Sequence, residues 1–191
     1  MKFSHKVIIF SAPSGSGKTT IVKHLLTKFP QLKFSVSSTS RKKRDDEVEG
    51  KDYYFITLDE FKRRIDNGEF IEYEEVYEGR LYGTLKSEAE RIWNEGKIIV
   101  FDVDVKGGLR LKETYKEQAL SVFIMPTSLE ILRSRLITRA TESIEDIEKR
   151  VNRADEELSY SNRFDKIILN DNLHEALQDA EIIMQEWIDC F

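Results

Sequence analysis

Apolar residues follow two rhythms along this chain. Four short runs, Val7-Ile8-Ile9-Phe10, Ile98-Ile99-Val100-Phe101, Val122-Phe123-Ile124 and Lys166-Ile167-Ile168-Leu169, are apolar with little alternation. That pattern predicts strands buried on both faces, as in a parallel sheet covered by helices. Elsewhere the spacing is helical. Residues 18–29 place Ile21, Val22, Leu25, Leu26 and Phe29 on one face and stop at Pro30, and 128–137 and 173–187 read as further amphipathic helices. Strand–helix–strand crossovers of fixed hand then predict a three-layer α/β core with a parallel sheet.

Two segments break this alternation. Between 34 and 86 the pattern is shorter and more polar. It predicts strands at 34–37, 53–56 and 70–73 and a helix at 58–67, together a small mixed α+β insertion. Between 138 and 160 charged residues dominate and the apolar stripe is thin, which predicts an exposed, mobile helical hairpin. No linker-like stretch sets either segment apart. The expectation is one domain, with a core of 1–33, 87–137 and 161–191 carrying insertions at 34–86 and 138–160.

Composition narrows the function classes. Thirty basic residues stand against 35 acidic ones in a chain of 191 residues, a net charge of −5. A broad nucleic-acid footprint is not expected, so any basic site is local. A single cysteine, Cys190, excludes an internal disulfide framework, and three scattered histidines do not suggest a metal centre. The apolar run at 7–10 is too short for a signal peptide or a membrane span and is read as the first core strand.

The strongest chemical signal is Ser11-Ala12-Pro13-Ser14-Gly15-Ser16-Gly17-Lys18-Thr19-Thr20, between an apolar strand and a helix. That is the context a phosphate-binding loop requires. Backbone N–H groups at the helix start favour anions, and Gly15 and Gly17 let the backbone approach phosphate oxygens. Lys18 is placed to reach the β- and γ-phosphates, and the Thr19 hydroxyl suits Mg²⁺. Ala12 stands where the motif begins with glycine; it is neutral unless the position needs a positive φ.

Other candidates are weaker. Asp102 ends a parallel strand at the edge of the sheet where ligands bind, with Asp104 two residues on. Arg41 and Arg44, three apart in Arg41-Lys42-Lys43-Arg44, suit a single phosphate, because Asp45-Asp46-Glu47 neutralises the run as a whole. Tyr82 and Thr84 flank Gly83 and offer two hydroxyls. Glu72 lies in an apolar context, Phe70-Ile71-Glu72-Tyr73, where a buried carboxylate needs donors; its own strand pattern leaves burial and exposure equally open.

These blocks, in this order over nearly the whole chain, resemble the guanylate kinase family. The run Ser37-Ser38-Thr39-Ser40-Arg41, then Arg44, Glu47 and Gly50-Lys51-Asp52-Tyr53, is the most specific part. The resemblance implies a P-loop kinase fold in which residues 34–86 bind GMP and 138–160 form a lid. It implies that Ser37, Glu72 and Thr84 bind guanine or its neighbourhood, and that Arg41, Arg44, Tyr53 and Tyr82 hold the GMP phosphate. Asp102 and Asp104 would lie near the acceptor and metal. Residues 12–20 (Ala12, Pro13, Ser14, Gly15, Ser16, Gly17, Lys18, Thr19, Thr20) would hold Mg-ATP, with Asn170 near the adenine. Arg135, Arg139 and Arg150 would come from the lid.

The implied activity is Mg²⁺-dependent phosphoryl transfer from ATP to GMP, or also dGMP, in the cytoplasm, with no nucleic-acid or membrane partner. Three other readings are weighed against it. A kinase for another nucleoside monophosphate or a sugar phosphate is told apart by a substrate screen, with Glu72 the residue to watch. A nucleic-acid-binding P-loop ATPase is opposed by the net charge and the small size. A non-catalytic module binding phosphorylated peptides would lack the intact Lys18-Thr19.

Overall fold

The computed structural model describes residues 5–138 and 144–190. In chain order the elements are β1 (Val7–Ser11), α1 (Lys18–Lys28), β2 (Leu32–Phe34), β3 (Ser38–Thr39), β4 (Tyr54–Phe55), α2 (Leu58–Asp66), β5 (Phe70–Tyr77), β6 (Arg80–Leu85), α3 (Lys86–Asn94), β7 (Ile98–Val103), α4 (Val105–Tyr115), β8 (Ala119–Pro126), α5 (Leu129–Thr138), α6 (Ile144–Ser159), β9 (Lys166–Asn170) and α7 (Leu173–Asp189). Five strands pair in parallel in the order β2-β7-β1-β8-β9. The other four form a mixed sheet ordered β4-β3-β6-β5.

The central strand shows why the core has three layers. All five residues of β1 are buried, and successive side chains point to opposite faces. Ile8 and Phe10 pack with Ile21 and Leu25 of α1 and Ala176, Ala180 and Met184 of α7. Val7 and Ile9 pack the other way, with Ala89 and Ile92 of α3 and Leu111 of α4. Among the described residues no helix is long and apolar enough to cross a membrane.

Several expectations are corrected. Residues 34–37 are not a strand of the small sheet. Leu32–Phe34 instead pairs with Ile98–Val100 in the core sheet, and the insertion's strand begins at Ser38. β9 is not buried on both faces: it is an edge strand, and Ile167 and Leu169 are half exposed. Asp102 does not end its strand, since β7 runs on through Val103. Helices α3 and α4 are additional to those predicted. The pair Gly107-Gly108 masks α4, each glycine costing about 1 kcal/mol of helix propensity. Packing explains Gly108: a Cβ there would lie 2.2 Å from Ser11 Oγ, so any larger residue would displace the Ser11 side chain where α4 crosses β1.

One buried carboxylate helps join the core to the small sheet. Glu88, in the first turn of α3, accepts from Val36 N (3.1 Å) between β2 and β3, and from the Tyr54 hydroxyl (3.3 Å) of β4. Arg91 completes its shell from the same helix. Glu88→Ala leaves the Val36 amide without this acceptor, so a loss of about 1–3 kcal/mol is expected. A urea midpoint equal to that of the parent protein would show the junction is held by other contacts.

Candidate active site

The phosphate loop runs from the end of β1 into α1. Gly15 (φ 93°) and Gly17 (φ 87°) occupy the left-handed region, which other residues rarely adopt. Gly17 is also the N-cap of α1. No side chain caps this end, and the first turn holds no acidic residue. The helix therefore turns its partial positive charge and its amide donors on the loop. Ala12 has no positive φ and is buried with the core, so glycine is not needed there.

Asn170, at the end of β9, braces the loop from below. Its Nδ2 donates to Ser16 O (2.7 Å) and lies 2.3 Å from where a Gly17 Cβ would be. Asn170 is buried and is not among the residues lining the cleft described next.

The loop opens on a cleft of about 380 Å³, lined on one side by residues 12–20 and on the other by Ser37, Arg41, Arg44, Tyr53, Glu72 and Tyr82. Asp102, Val103 and Asp104 form its floor, and Arg150 and Arg153 reach it from α6. Lys18 Nζ lies 2.6 Å from Asp102 Oδ1 and donates to Val103 O as well. Thr19 and Thr20 are exposed at the mouth.

The opposite wall is built by the β5–β6 hairpin. Its register sets Glu72 across from Thr84 and Glu74 across from Tyr82. Glu72 is buried, and the Thr84 hydroxyl donates to its Oε1 at 2.9 Å. Burial pushes the Glu72 carboxyl up to about 7, a rise that the Thr84 bond moderates.

Arg41 is held in a fixed pose. Its guanidinium pairs with both oxygens of Glu47, its Nε donates to the Tyr82 hydroxyl (3.1 Å), and it sits 5.0 Å from the Tyr53 ring centroid. Glu47 is pulled down to about 2 by this guanidinium, and Arg41 is raised by the same bond. Burial raises the Tyr53 phenol. Arg44, three residues from Arg41, also lines the cleft, and its backbone N–H donates to Glu47 at 2.8 Å.

Asp104 is the N-cap of α4. Its Oδ1 accepts from Gly107 N (2.7 Å), while Oδ2 faces Arg153 Nη2 at 3.1 Å. Arg150 Nη1 donates to Ser14 Oγ at 3.0 Å, so α6 touches the phosphate loop. Arg139 lies outside the described residues. Arg135 falls within α5, but its side chain is likewise outside the description.

Three further charged cleft residues, Glu74, Arg153 and Glu157, are not candidates from the sequence. Arg153 follows Arg150 by three residues and precedes Glu157 by four, so helical spacing puts all three on one face. That spacing was readable, but the cleft it faces was not. Among the described residues no three His, Cys, Asp or Glu side chains cluster as a metal site.

A family model described as guanylate kinase matches residues 4–187. A guanylate kinase of Bacteroides fragilis is 51% identical over 183 residues, covering 96% of this chain and 90% of the relative. One of Porphyromonas gingivalis is 48% identical over 184 residues, covering 96% and 98%. The crystal structure of guanylate kinase from Anaplasma phagocytophilum superposes with a TM-score of 0.76 at 31% identity, covering 95% of this chain and 85% of that one.

Proposed function

We propose how the cleft works from the premise that the chain belongs to the guanylate kinase family. The reaction is transfer of the γ-phosphoryl group of ATP to GMP, giving ADP and GDP. The observation that carries our reading is the opposition, across one cleft, of a lysine-bearing phosphate loop and a wall presenting Arg41, Tyr82 and a buried Glu72.

On the donor side, the amides of residues 12–20 and Lys18 take the ATP phosphates. Asn170 serves this side by bracing the loop. The donor set also fits Mg²⁺: Thr19, exposed and lining the cleft next to Lys18, would offer its hydroxyl, and this ion needs few protein ligands because it keeps waters and phosphate oxygens. When bound, Mg²⁺ offsets charge on the transferred group. On the acceptor side, Arg41, Arg44, Tyr53 and Tyr82 hold the GMP phosphate, and Ser37, Glu72 and Thr84 read guanine. Asp102 and Asp104 lie between the two.

The functional division is a core of 1–33, 87–137 and 161–191, a GMP-binding segment of 34–86 and a lid of 138–160. Arg139 and Arg150 of the lid, with Arg135 beside it, form one charge-neutralising set. The acceptor phosphate is already an anion, so no general base is required, and the protein works by positioning and charge neutralisation. Lid closure keeps water from ATP. Both substrates are soluble nucleotides, in keeping with a cytoplasmic enzyme.

The test is ADP formation with GMP, dGMP, AMP, CMP, UMP and dTMP in turn. GMP-dependent release is expected, and a faster reaction with another monophosphate would overturn the guanine assignment. Lys18→Ala is expected to abolish most turnover with the fold intact, because Lys18 faces the cleft. Near-normal rates in that variant would remove Lys18 from the donor site.

A further inference from the structure

Helix α6 is unevenly seated. At its C-terminal end Leu158 and the following Tyr160 pack with Val105 and Leu109 of α4 and with Phe123 and Phe164. Lys106 of α4 also lies 3.1 Å from Glu156. Further toward the N-terminus, Val151 and Ala154 pack with Leu129 and Leu132 of α5, in a cluster whose described residues all come from these two helices. Arg153 lies where the seated part gives way to the overhanging part.

Three of its guanidinium bonds run in three directions. Nε donates to Glu157 Oε1 (2.8 Å), one turn along α6. Nη2 donates to Asp104 Oδ2 (3.1 Å), the cap of α4. Nη1 donates to Val76 O (3.3 Å) on β5 of the small sheet. Glu157 is buried and four residues away, so it holds the guanidinium from behind. Only a planar, forked cation reaches three acceptors so disposed; an ammonium on a flexible stem does not reproduce the geometry.

From this we infer that Arg153 is a positioning residue, a latch that fastens the helical arm to the core at Asp104 and to the small sheet at Val76. The inference rests on the kinase reading for its consequence in turnover, but the latch itself does not. The consequence follows from leverage. Arg150, one turn before Arg153 on the same face, reaches Ser14 of the phosphate loop. Rotation of α6 about its seated end moves Arg150 away from the loop unless Arg153 is engaged. Engagement also fixes Asp104, whose other oxygen caps Gly107. One side chain thereby couples the arm, the floor of the cleft and the wall that carries Glu72.

The test uses the full chain with Arg153→Gln and Arg153→Lys. Spin labels are placed at the exposed positions Asp155 and Glu78, with Cys190→Ser removing the native thiol. Without nucleotide, a short-distance population is expected in the parent and its depletion in both variants. In turnover, kcat is expected to fall about 10²-fold, the scale of a misplacement of about 1 Å remote from the chemistry. GMP affinity by calorimetry should hold, and ADP release without GMP should rise. Parent-like distances in Arg153→Gln overturn the latch. Parent-like distances in Arg153→Lys do so too, by showing that charge alone suffices. If the parent itself fails to phosphorylate GMP while the distances still respond to Arg153→Gln, the latch stands and the kinase reading falls.

Discussion

Glu72→Gln is expected to raise the KM for GMP by about 10²–10⁴-fold and to leave that for ATP almost unchanged. Guanine presents two donors, N1–H and the N2 amino group, and an ionised carboxylate accepts both. A hydrogen bond to a charged group contributes about 1.5–3 kcal/mol, so two together span that range. Glutamine keeps the shape but turns one end into a donor that opposes a donor. Adenine is rejected by the parent because its N1 is an acceptor, and a site built around such bonds can discriminate by about 10⁴–10⁵. Competition between GMP and AMP in parent and variant measures this directly. Unchanged GMP kinetics would move guanine recognition to another residue.

The same residue predicts a pH dependence. Folding raises the Glu72 carboxyl from its ordinary 4.5 to about 7, chiefly through burial. Between those values the folded chain binds the proton more tightly than the unfolded chain. The contribution of Glu72 to stability is therefore present at low pH and declines as pH rises across that window. GMP binding has the opposite trend, since it needs the ionised form, and affinity should fall as pH drops below about 7. The GMP phosphate also titrates, but it does so equally in Glu72→Gln. The difference between the two pH profiles isolates the side chain, and coincident profiles would refute its role.

Arg150→Ala is expected to lower kcat by about 10³–10⁵-fold, the range for an arginine placed on a transferring phosphoryl group. Its bond to Ser14 Oγ brings it to the donor loop, and Lys18 alone does not neutralise the charge developing there. The cost to stability should be about 1 kcal/mol, the scale of partly exposed polar contacts. GMP titration should be close to normal, because Arg150 approaches the opposite wall. Turnover, melting temperature and titration on one preparation decide the case. Normal turnover removes Arg150 from the mechanism, and a collapsed melting temperature makes its role structural.

How much was legible depended on how far apart the cooperating residues lie. The phosphate loop is contiguous: strand, two glycines with positive φ, lysine and helix follow within residues 7–28, and each step is dictated locally. The buried strands were legible for a similar reason, because a run of apolar residues has few alternatives to burial. β9 shows the limit. Its sequence resembles the other runs, yet only its place at the sheet edge leaves Ile167 and Leu169 half exposed.

Long-range partnerships needed the tertiary structure. Glu72 could be buried or exposed on its own strand pattern; the hairpin register that sets Thr84 beside it settles the matter and supplies the donor. Arg41 meets Tyr82 across 41 residues of chain. Arg153 meets Asp104 across 49 and Val76 across 77, and neither contact leaves a local mark in the sequence. Helix α4 carries two glycines that argue against a helix, and close packing on Ser11 makes glycine the residue that fits at 108. Local backbone and burial preferences thus determined the loop, the core strands and the chemistry of the donor side. The acceptor wall and the seat of α6 were decided by closure of the chain, because each depends on groups whose proximity no short-range preference encodes.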